Sequence, residues 1–257
     1  MNKSEKSTDS LRQSSSTYII IAFAIWILSA LWGYIKDSTG LNNEGSAAIY
    51  FVKGLDALGV VIYIASFVLL FKAFRDEKTA YSLEKDGGKN PFAIMPKLVI
   101  AFPVLSVLAA LGYLIAAGIN AAYKDISPDE AERAMKIMLG YSKAISDLFA
   151  ITNVVGIFSF KVYRYEQQAG REGETIAKLA FLGAVVTALD LVVGVVDSFV
   201  RISSIIDVTQ SAKSLPRYLI FGVTMLMCVF QLLLYIRRRS FYTPVDENAY
   251  AADTPEK

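Results

Sequence analysis

The sequence predicts an all-α protein, a polytopic bundle of six transmembrane helices with the N and C termini in the cytoplasm. Hydrophobic residues make up 54% of the 257 residues and charged residues only 19%, whereas soluble globular proteins have about 45–50% and roughly 25%. The apolar residues lie in blocks of about 20 residues, which is the length of a bilayer crossing. Because backbone groups in lipid must hydrogen-bond to one another, each block is expected to be a helix.

Charged or turn-forming residues flank each of the six apolar blocks. We expect the polar, serine-rich residues 1–17 to form a disordered cytoplasmic tail, and residues 237–257 to form a second cytoplasmic tail. The first block is long for a signal peptide and is followed by Lys36, so we interpret it as a retained span. The transmembrane domain, residues 18–236, then contains spans at residues 18–35, 51–71, 98–117, 141–160, 179–198 and 218–236.

Lysine and arginine are distributed unequally between the two sides of the predicted bundle. Of the 26 such residues, 17 lie in the two tails and in the loops that follow the second and fourth spans, 7 lie in the other three loops, and 2 lie within spans. Basic residues are enriched on the cytoplasmic side of membrane proteins. Both termini are therefore predicted to be cytoplasmic, with Arg237, Arg238 and Arg239 ending the last span.

Two elements of the bundle have expectations of their own. The first span is the least polar, so we place it at the periphery. The sequence SPDE at 127–130 is a capping box with proline at the first helical position. It predicts a polar helix that begins near Pro128 and continues into the fourth span without a break.

The second and fourth spans end in similar sequences, FKAFR at 71–75 and FKVYR at 160–164. One interpretation is the duplication of a two-helix hairpin, as in transporters that are built from repeats. The other is that aromatic and basic residues are ordinary anchors where a helix leaves the membrane. We favour the second interpretation, because the surrounding charged residues lie in slightly different register.

The fifth span carries a carboxylate, Asp190, near its centre. Asp190 follows Lys178 by about 18 Å along the helix axis, and an aspartate at that depth costs at least about 2.5–3.5 kcal/mol. We therefore expect it to face protein or water, and we expect Val186, Val193 and Val200 to face lipid or less polar neighbours. Steps of four and three place the small and polar residues on one face, namely Gly183, Thr187, Asp190, Gly194, Asp197, Arg201 and Ser204.

Further polar residues on the second, fourth and sixth spans complete a candidate intramembrane site. Oppositely charged residues three or four apart can pair within one helix, namely Lys53 with Asp56, Lys143 with Asp147 and Asp197 with Arg201. The hypothesis is a polar cavity that is open to the outside and narrows to Asp190. Alternatively, the outer pairs are solvated and Asp190 makes a structural hydrogen bond inside a closed bundle. The candidate residues are Asp190, Asp197, Arg201, Thr187, Lys53, Asp56, Lys143, Asp147, Asn153 and Gln231.

These observations favour a transporter or channel-like protein for a small solute, ion or proton, located in a membrane and in contact with the lipid bilayer. The alternative is a non-catalytic scaffold, receptor or trafficking protein whose polar stripes serve helix packing. An enzyme is disfavoured, because the chain has no histidine and no GxSxG, HExxH or P-loop motif. We predict no cofactor, no metal site and, at a net charge of +2, no nucleic-acid partner; the oligomeric state stays open.

Overall fold

The computed structural model describes residues 3–39, 49–84, 89–122, 127–167, 171–206 and 215–243. The described residues are almost entirely helical and contain no strand. The helices are α1 (Lys3–Thr39), α2 (Ile49–Glu84), α3 (Met95–Ala122), α4 (Pro128–Leu148), α5 (Ile151–Glu166), α6 (Arg171–Ile206) and α7 (Arg217–Phe241).

Six stretches of the described chain are long and apolar enough to cross a membrane. Five of them lie within α1, α2, α3, α6 and α7, and the sixth combines α4 with α5. The predicted fold class, an all-α bundle with six membrane-spanning segments, is confirmed. The cytoplasmic location of the termini stays a prediction.

The first and last helices meet at one end of the bundle. The side-chain amide of Gln13 on α1 donates a hydrogen bond of 3.1 Å to the hydroxyl of Thr243, just after α7. We call this end, which contains Arg12 and Tyr242, the terminal end. The opposite end, which contains Lys36 and Arg201, is the distal end.

Helix α1 does not lie at the periphery, as its low polarity had suggested. It packs between α2 and α7, and its residues Ile19, Ala22, Phe23 and Trp26 are buried in the core. In a bilayer both lipid and protein interior are apolar, so low polarity does not distinguish the two surroundings. The span of α3 is the least buried of the six.

The polar residues before the first span are not a disordered tail, because α1 begins at Lys3. Thr8, Arg12, Ser15 and Ser16 are buried in that part of the helix. Helix α7 likewise continues to Phe241, five residues into the predicted second tail, and Arg238 is completely buried. Arg12, Ser16 and Arg238 have polar partners inside the protein, and composition alone does not reveal such partners. Residues 244–257 lie outside the described part of the chain.

The capping box at the start of α4 forms as predicted, and the helix continues into the fourth span, but it breaks inside that span. Ser127 accepts a hydrogen bond from the backbone N–H of Glu130, and the Glu130 carboxylate accepts one from the N–H of Ser127. Helix α4 then ends at Leu148, and Ala150 is extended (φ −63°, ψ 141°). The side chain of Asn153 donates to the carbonyls of Asp147 and Leu148, at 2.8 and 3.0 Å. The prediction of an unbroken helix is wrong because Asn153 satisfies carbonyls that the next helical turn would otherwise bind.

Candidate functional site

The polar stripe of α6 faces the inside of the bundle. Gly183, Thr187 and Asp197 are buried, and Asp190 is half-buried. Val186 is also buried, at 8% exposure, and belongs to the hydrophobic core, so it has less polar neighbours, which is the second of the two expected surroundings. The buried face is wider than the stripe because α4, α5 and α7 all pack against α6. The exposed apolar face consists of Leu182, Val185, Leu189, Val192, Val196 and Phe199.

Asp190 lies at the interface between α6 and α7. The hydroxyl of Thr224 on α7 donates a hydrogen bond of 2.7 Å to its carboxylate. Cys228, one turn further along α7, is buried on the same side. Asp190 therefore faces protein, as expected, and its direct side-chain partner is Thr224.

Thr187 and Gln231 belong to a separate hydrogen-bond network closer to the terminal end. The amide of Gln231 donates to the hydroxyl of Thr187 and to the carbonyl of Gly183, both at 3.0 Å. The hydroxyl of Ser159 on α5 donates to the carbonyl oxygen of Gln231 at 2.8 Å and lies 3.1 Å from the hydroxyl of Tyr235. This network joins α5, α6 and α7 in the interior.

Lys143 and Asp147 pair within α4 and also contact α6. The Lys143 ammonium lies 2.8 Å from the Asp147 carboxylate. Ser198 on α6 donates to the same carboxylate at 3.2 Å, and Gly194 leaves room for Asp147 to approach α6. Asn153, a further candidate residue, hydrogen-bonds to carbonyls at the break between α4 and α5.

Asp197 connects α6 to the beginning of α7. One carboxylate oxygen accepts a hydrogen bond of 2.9 Å from Arg201, and the other accepts one of 3.0 Å from the backbone N–H of Leu215. Asp197 is only 1% exposed, whereas the side chain of Arg201 is 47% exposed. Buried Asp197 therefore links α6 to Leu215, just before α7, and its partner Arg201 is partly exposed.

The predicted pairing of Lys53 with Asp56 does not form, because Asp56 binds α1. Its carboxylate accepts hydrogen bonds from Lys36, at 2.9 Å, and from the indole N–H of Trp32, at 3.0 Å. Lys53 is exposed. Lys36 and Trp32 on α1 thus bind the Asp56 carboxylate, for which the spacing within α2 had predicted Lys53 as the partner.

A cavity of about 500 Å³ lies at the distal end between α1, α6 and α7. Arg201 is the one residue of the ten candidates in its lining, and Asp190 lies eleven residues, roughly 17 Å, further along α6. The candidate residues are thus divided between cavities: Arg201 lines the distal one, whereas Asn153 and Thr187 line a second one of about 540 Å³. The lining of the distal cavity consists of Ala30, Gly33, Tyr34, Ser38, Arg201, Arg217, Tyr218, Ile220 and Phe221.

No family model, no curated protein and no solved structure matches this chain. Its function has to be inferred from its own side chains.

The terminal end holds a buried cluster of charged residues that the sequence did not lead us to expect. The guanidinium of Arg238 donates two hydrogen bonds to Glu77, at 2.8 and 2.7 Å, and a third to Glu166, at 3.1 Å. Arg238, Glu77 and Glu166 are completely buried, and Arg12 is 5% exposed. Arg12 pairs with Glu84 and approaches Glu77 to 3.7 Å. We call Arg12, Glu77, Glu166 and Arg238 the terminal cluster.

Two tyrosines complete the surroundings of the terminal cluster. The hydroxyl of Tyr242 donates to Glu166 at 2.8 Å, and burial raises the pKa of that hydroxyl, which keeps it a neutral donor. The hydroxyl of Tyr165 donates to Glu84 and lies within hydrogen-bond reach of Arg12. The cluster thus includes polar side chains from α1, α2, α5 and the end of α7.

The signal for this cluster was present in the two similar span ends. Extended by two residues, they are FKAFRDE at 71–77 and FKVYRYE at 160–166. The seventh residue is glutamate in both, Glu77 and Glu166, and both glutamates bind Arg238. The interpretation of these ends as membrane anchors considered only their first five residues and therefore left out the glutamate that follows two positions later.

Polar residues also form a stripe along α7 that leads to the terminal cluster. The spacing alternates between four and three, which keeps all of them on one face. Cys228, Gln231, Tyr235 and Arg238 are at most 1% exposed. The stripe consists of Thr224, Cys228, Gln231, Tyr235, Arg238 and Tyr242.

Proposed function

We propose that this protein is a transporter or channel-like protein that moves a small solute or ion along the interface between α6 and α7. The observation that carries the proposal is the continuous polar stripe of α7 inside a helix that is apolar enough to cross a membrane. Polar side chains at such depth are costly and mark solute or ion pathways. Asp190 and Thr187 on α6 face this stripe through Thr224 and Gln231.

The distal cavity favours a solute that carries an anionic group. Two arginines, Arg201 and Arg217, line it together with the polar side chains of Tyr34, Ser38 and Tyr218. Guanidinium groups bind carboxylates and phosphates with matched geometry. Asp190, further along the same interface, is then the candidate group for a proton or a cation that accompanies the solute.

The test is flux into liposomes that contain the purified full-length protein. We would follow proton entry with an enclosed pH-sensitive dye and measure the uptake of labelled acetate, phosphate and chloride. Asp190→Asn keeps the shape of the side chain but cannot exchange a proton, so we expect at least a tenfold loss of proton-coupled uptake. Asp129→Asn, at the exposed start of α4, is the matched control and should behave like the wild type.

A scaffold whose stripes serve helix packing is the second candidate. The observation in its favour is that Gln231, Thr187 and Ser159 use one another as hydrogen-bond partners. On that hypothesis Asp190→Asn leaves every flux at background and leaves the protein equally or more stable, because an amide is easier to bury than an ion. Wild-type flux at background for all four probes would reject the transporter proposal in favour of the scaffold.

A further inference from the structure

We infer that the terminal cluster is a latch, which closes the terminal end of the polar stripe of α7 and must separate for that end to open. This inference rests on the proposed function for its purpose, but its geometry and its test do not depend on a known solute. Arg238 is its centre, because it binds the glutamates of two different helices. Arg12 joins the cluster from a third helix.

The latch directly joins α2 to α7, two helices that share little other packing. Among the described helices, α2 packs mainly against α1 and α3, whereas α7 packs against α1 and α6 and α5 packs mainly against α6. The bidentate pair between Glu77 on α2 and Arg238 on α7 therefore crosses the interior of the terminal end. Separation of this pair would remove the direct ionic link between α2 and α7, although both helices would still pack against α1.

An aromatic layer lies directly on the membrane side of the latch. The ring of Phe158 on α5 lies 4.4 Å from the ring of Phe74 on α2 and 6.2 Å from that of Tyr235 on α7. Phe92 adds a further contact to Phe158 at 5.5 Å. Phe74 and Tyr235 each precede a latch residue, Glu77 and Arg238, by three positions. Movement of the latch residues must therefore also move the rings that fill the interior beneath them.

The latch is not completely satisfied in the closed arrangement. The Nε atom of Arg12 and the Oε2 atom of Glu166 are buried without a hydrogen-bond partner among the described residues. Buried polar atoms normally find partners, so the closed state leaves two groups that a rearranged or hydrated state could satisfy. A packed interface with two alternative arrangements is the physical basis of a conformational switch.

The chain contains its own reporter for the opening of the latch. Cys228, the single cysteine, is 1% exposed on the polar stripe of α7, and it lies about 15 Å along the helix from Arg238. In the closed state a membrane-impermeant thiol reagent should not reach it. Opening of the terminal end would expose the stripe and allow the reagent to react.

The experiment measures the rate of Cys228 modification by a charged, impermeant methanethiosulfonate in membrane vesicles of both orientations. Arg238→Gln removes the paired charge, and we expect the rate from the terminal side to rise at least tenfold, with no rise from the distal side. Arg239→Gln is the matched control, because Arg239 is the next residue on α7 and is exposed. It should keep the wild-type rate.

A second variant keeps the test decisive if Arg238→Gln does not fold. Glu166→Gln retains the bidentate pair between Arg238 and Glu77, and we expect at least a threefold rise in the rate from the terminal side. A wild-type rate in either folded variant overturns the latch, and so does a loss of folding in both, which would mark the cluster as purely structural. Modification that rises without any measurable flux supports the latch and rejects transport instead.

Discussion

At the scale of single residues, Gly156 controls how closely α5 approaches α6. A methyl group at this position would lie 2.7 Å from the Cγ2 atom of Thr187. Thr187 cannot easily withdraw, because its hydroxyl is held by Gln231 and by the carbonyl of Gly183. We expect Gly156→Ala to lower the free energy of unfolding by about 1–3 kcal/mol, as overpacking does in other cores. Unfolding in mixed SDS and non-ionic detergent micelles measures this difference.

Gly112 provides the control for that substitution. It also lies inside a membrane-spanning helix, α3, but a methyl group there meets no atom within 4 Å. Gly112→Ala should leave the unfolding curve unchanged or move it slightly to higher denaturant, since alanine favours helix. Equal effects of the two substitutions would contradict the close approach of α5 to α6.

Sequence patterns at this scale predicted which residues face inward better than which residues pair. The alternating spacing on α6 correctly placed Thr187 and Asp190 towards protein, because helical periodicity decides direction. Partners depend on the neighbouring helix, and spacing within one helix contains no information about it. For that reason Asp56 was assigned to Lys53 although Lys36 and Trp32 bind it, and the partner of Asp190, Thr224, was not foreseen.

The terminal cluster was missed for a related reason. Polar composition made residues 1–17 and 237–257 resemble solvated tails, so Arg12 and Arg238 were counted only as cytoplasmic charge. A buried ion pair contributes little net stability compared with an apolar pair of similar volume. The hydrophobicity of the sequence therefore does not predict the terminal cluster, and its one signal in the sequence is the glutamate that both span ends share, Glu77 and Glu166.

At the scale of elements, the break between α4 and α5 depends on Asn153. Its side chain donates to two carbonyls at the end of α4, and a net hydrogen bond between membrane helices contributes about 0.6 kcal/mol on average. We expect Asn153→Ala to lower the free energy of unfolding by about 1 kcal/mol, and the circular dichroism signal to show equal or higher helix content. Ile157→Ala, one turn later on the exposed face of α5, should change stability by less.

If Asn153→Ala and Ile157→Ala had the same effect on stability, the role of Asn153 in the break would have to be abandoned.

The positions of the spans were well predicted, because the length of each run of apolar residues matches the thickness of the membrane. The helix ends were not, because α1, α2 and α6 extend well beyond their apolar blocks. Polar contacts stabilise the helical residues beyond each apolar block, so hydrophobicity does not predict where these helices end.

At the scale of the whole molecule, the fold indicates which helix ends lie on the same side of the membrane, and the charge distribution indicates which side is the cytoplasm. The contact between Gln13 and Thr243 places the two terminal helix ends on one side, as six crossings require. The excess of lysine and arginine in the tails and in the loops at that end predicts that this side is the cytoplasm. The latch would then face the cytoplasm, and the distal cavity with Arg201 and Arg217 would face outward.

Reporter tags at three positions test both statements together. We expect a tag at the N-terminus to report the inside, a tag after Gly45 the outside, and a tag after Lys257 the inside. Termini on opposite sides of the membrane would contradict the six-helix fold itself. Both termini on the outside would leave the fold intact but overturn the charge argument, and it would turn the distal cavity towards the cytoplasm. In that case the solute would enter the proposed pathway from the cell interior, and the latch would control its release to the outside.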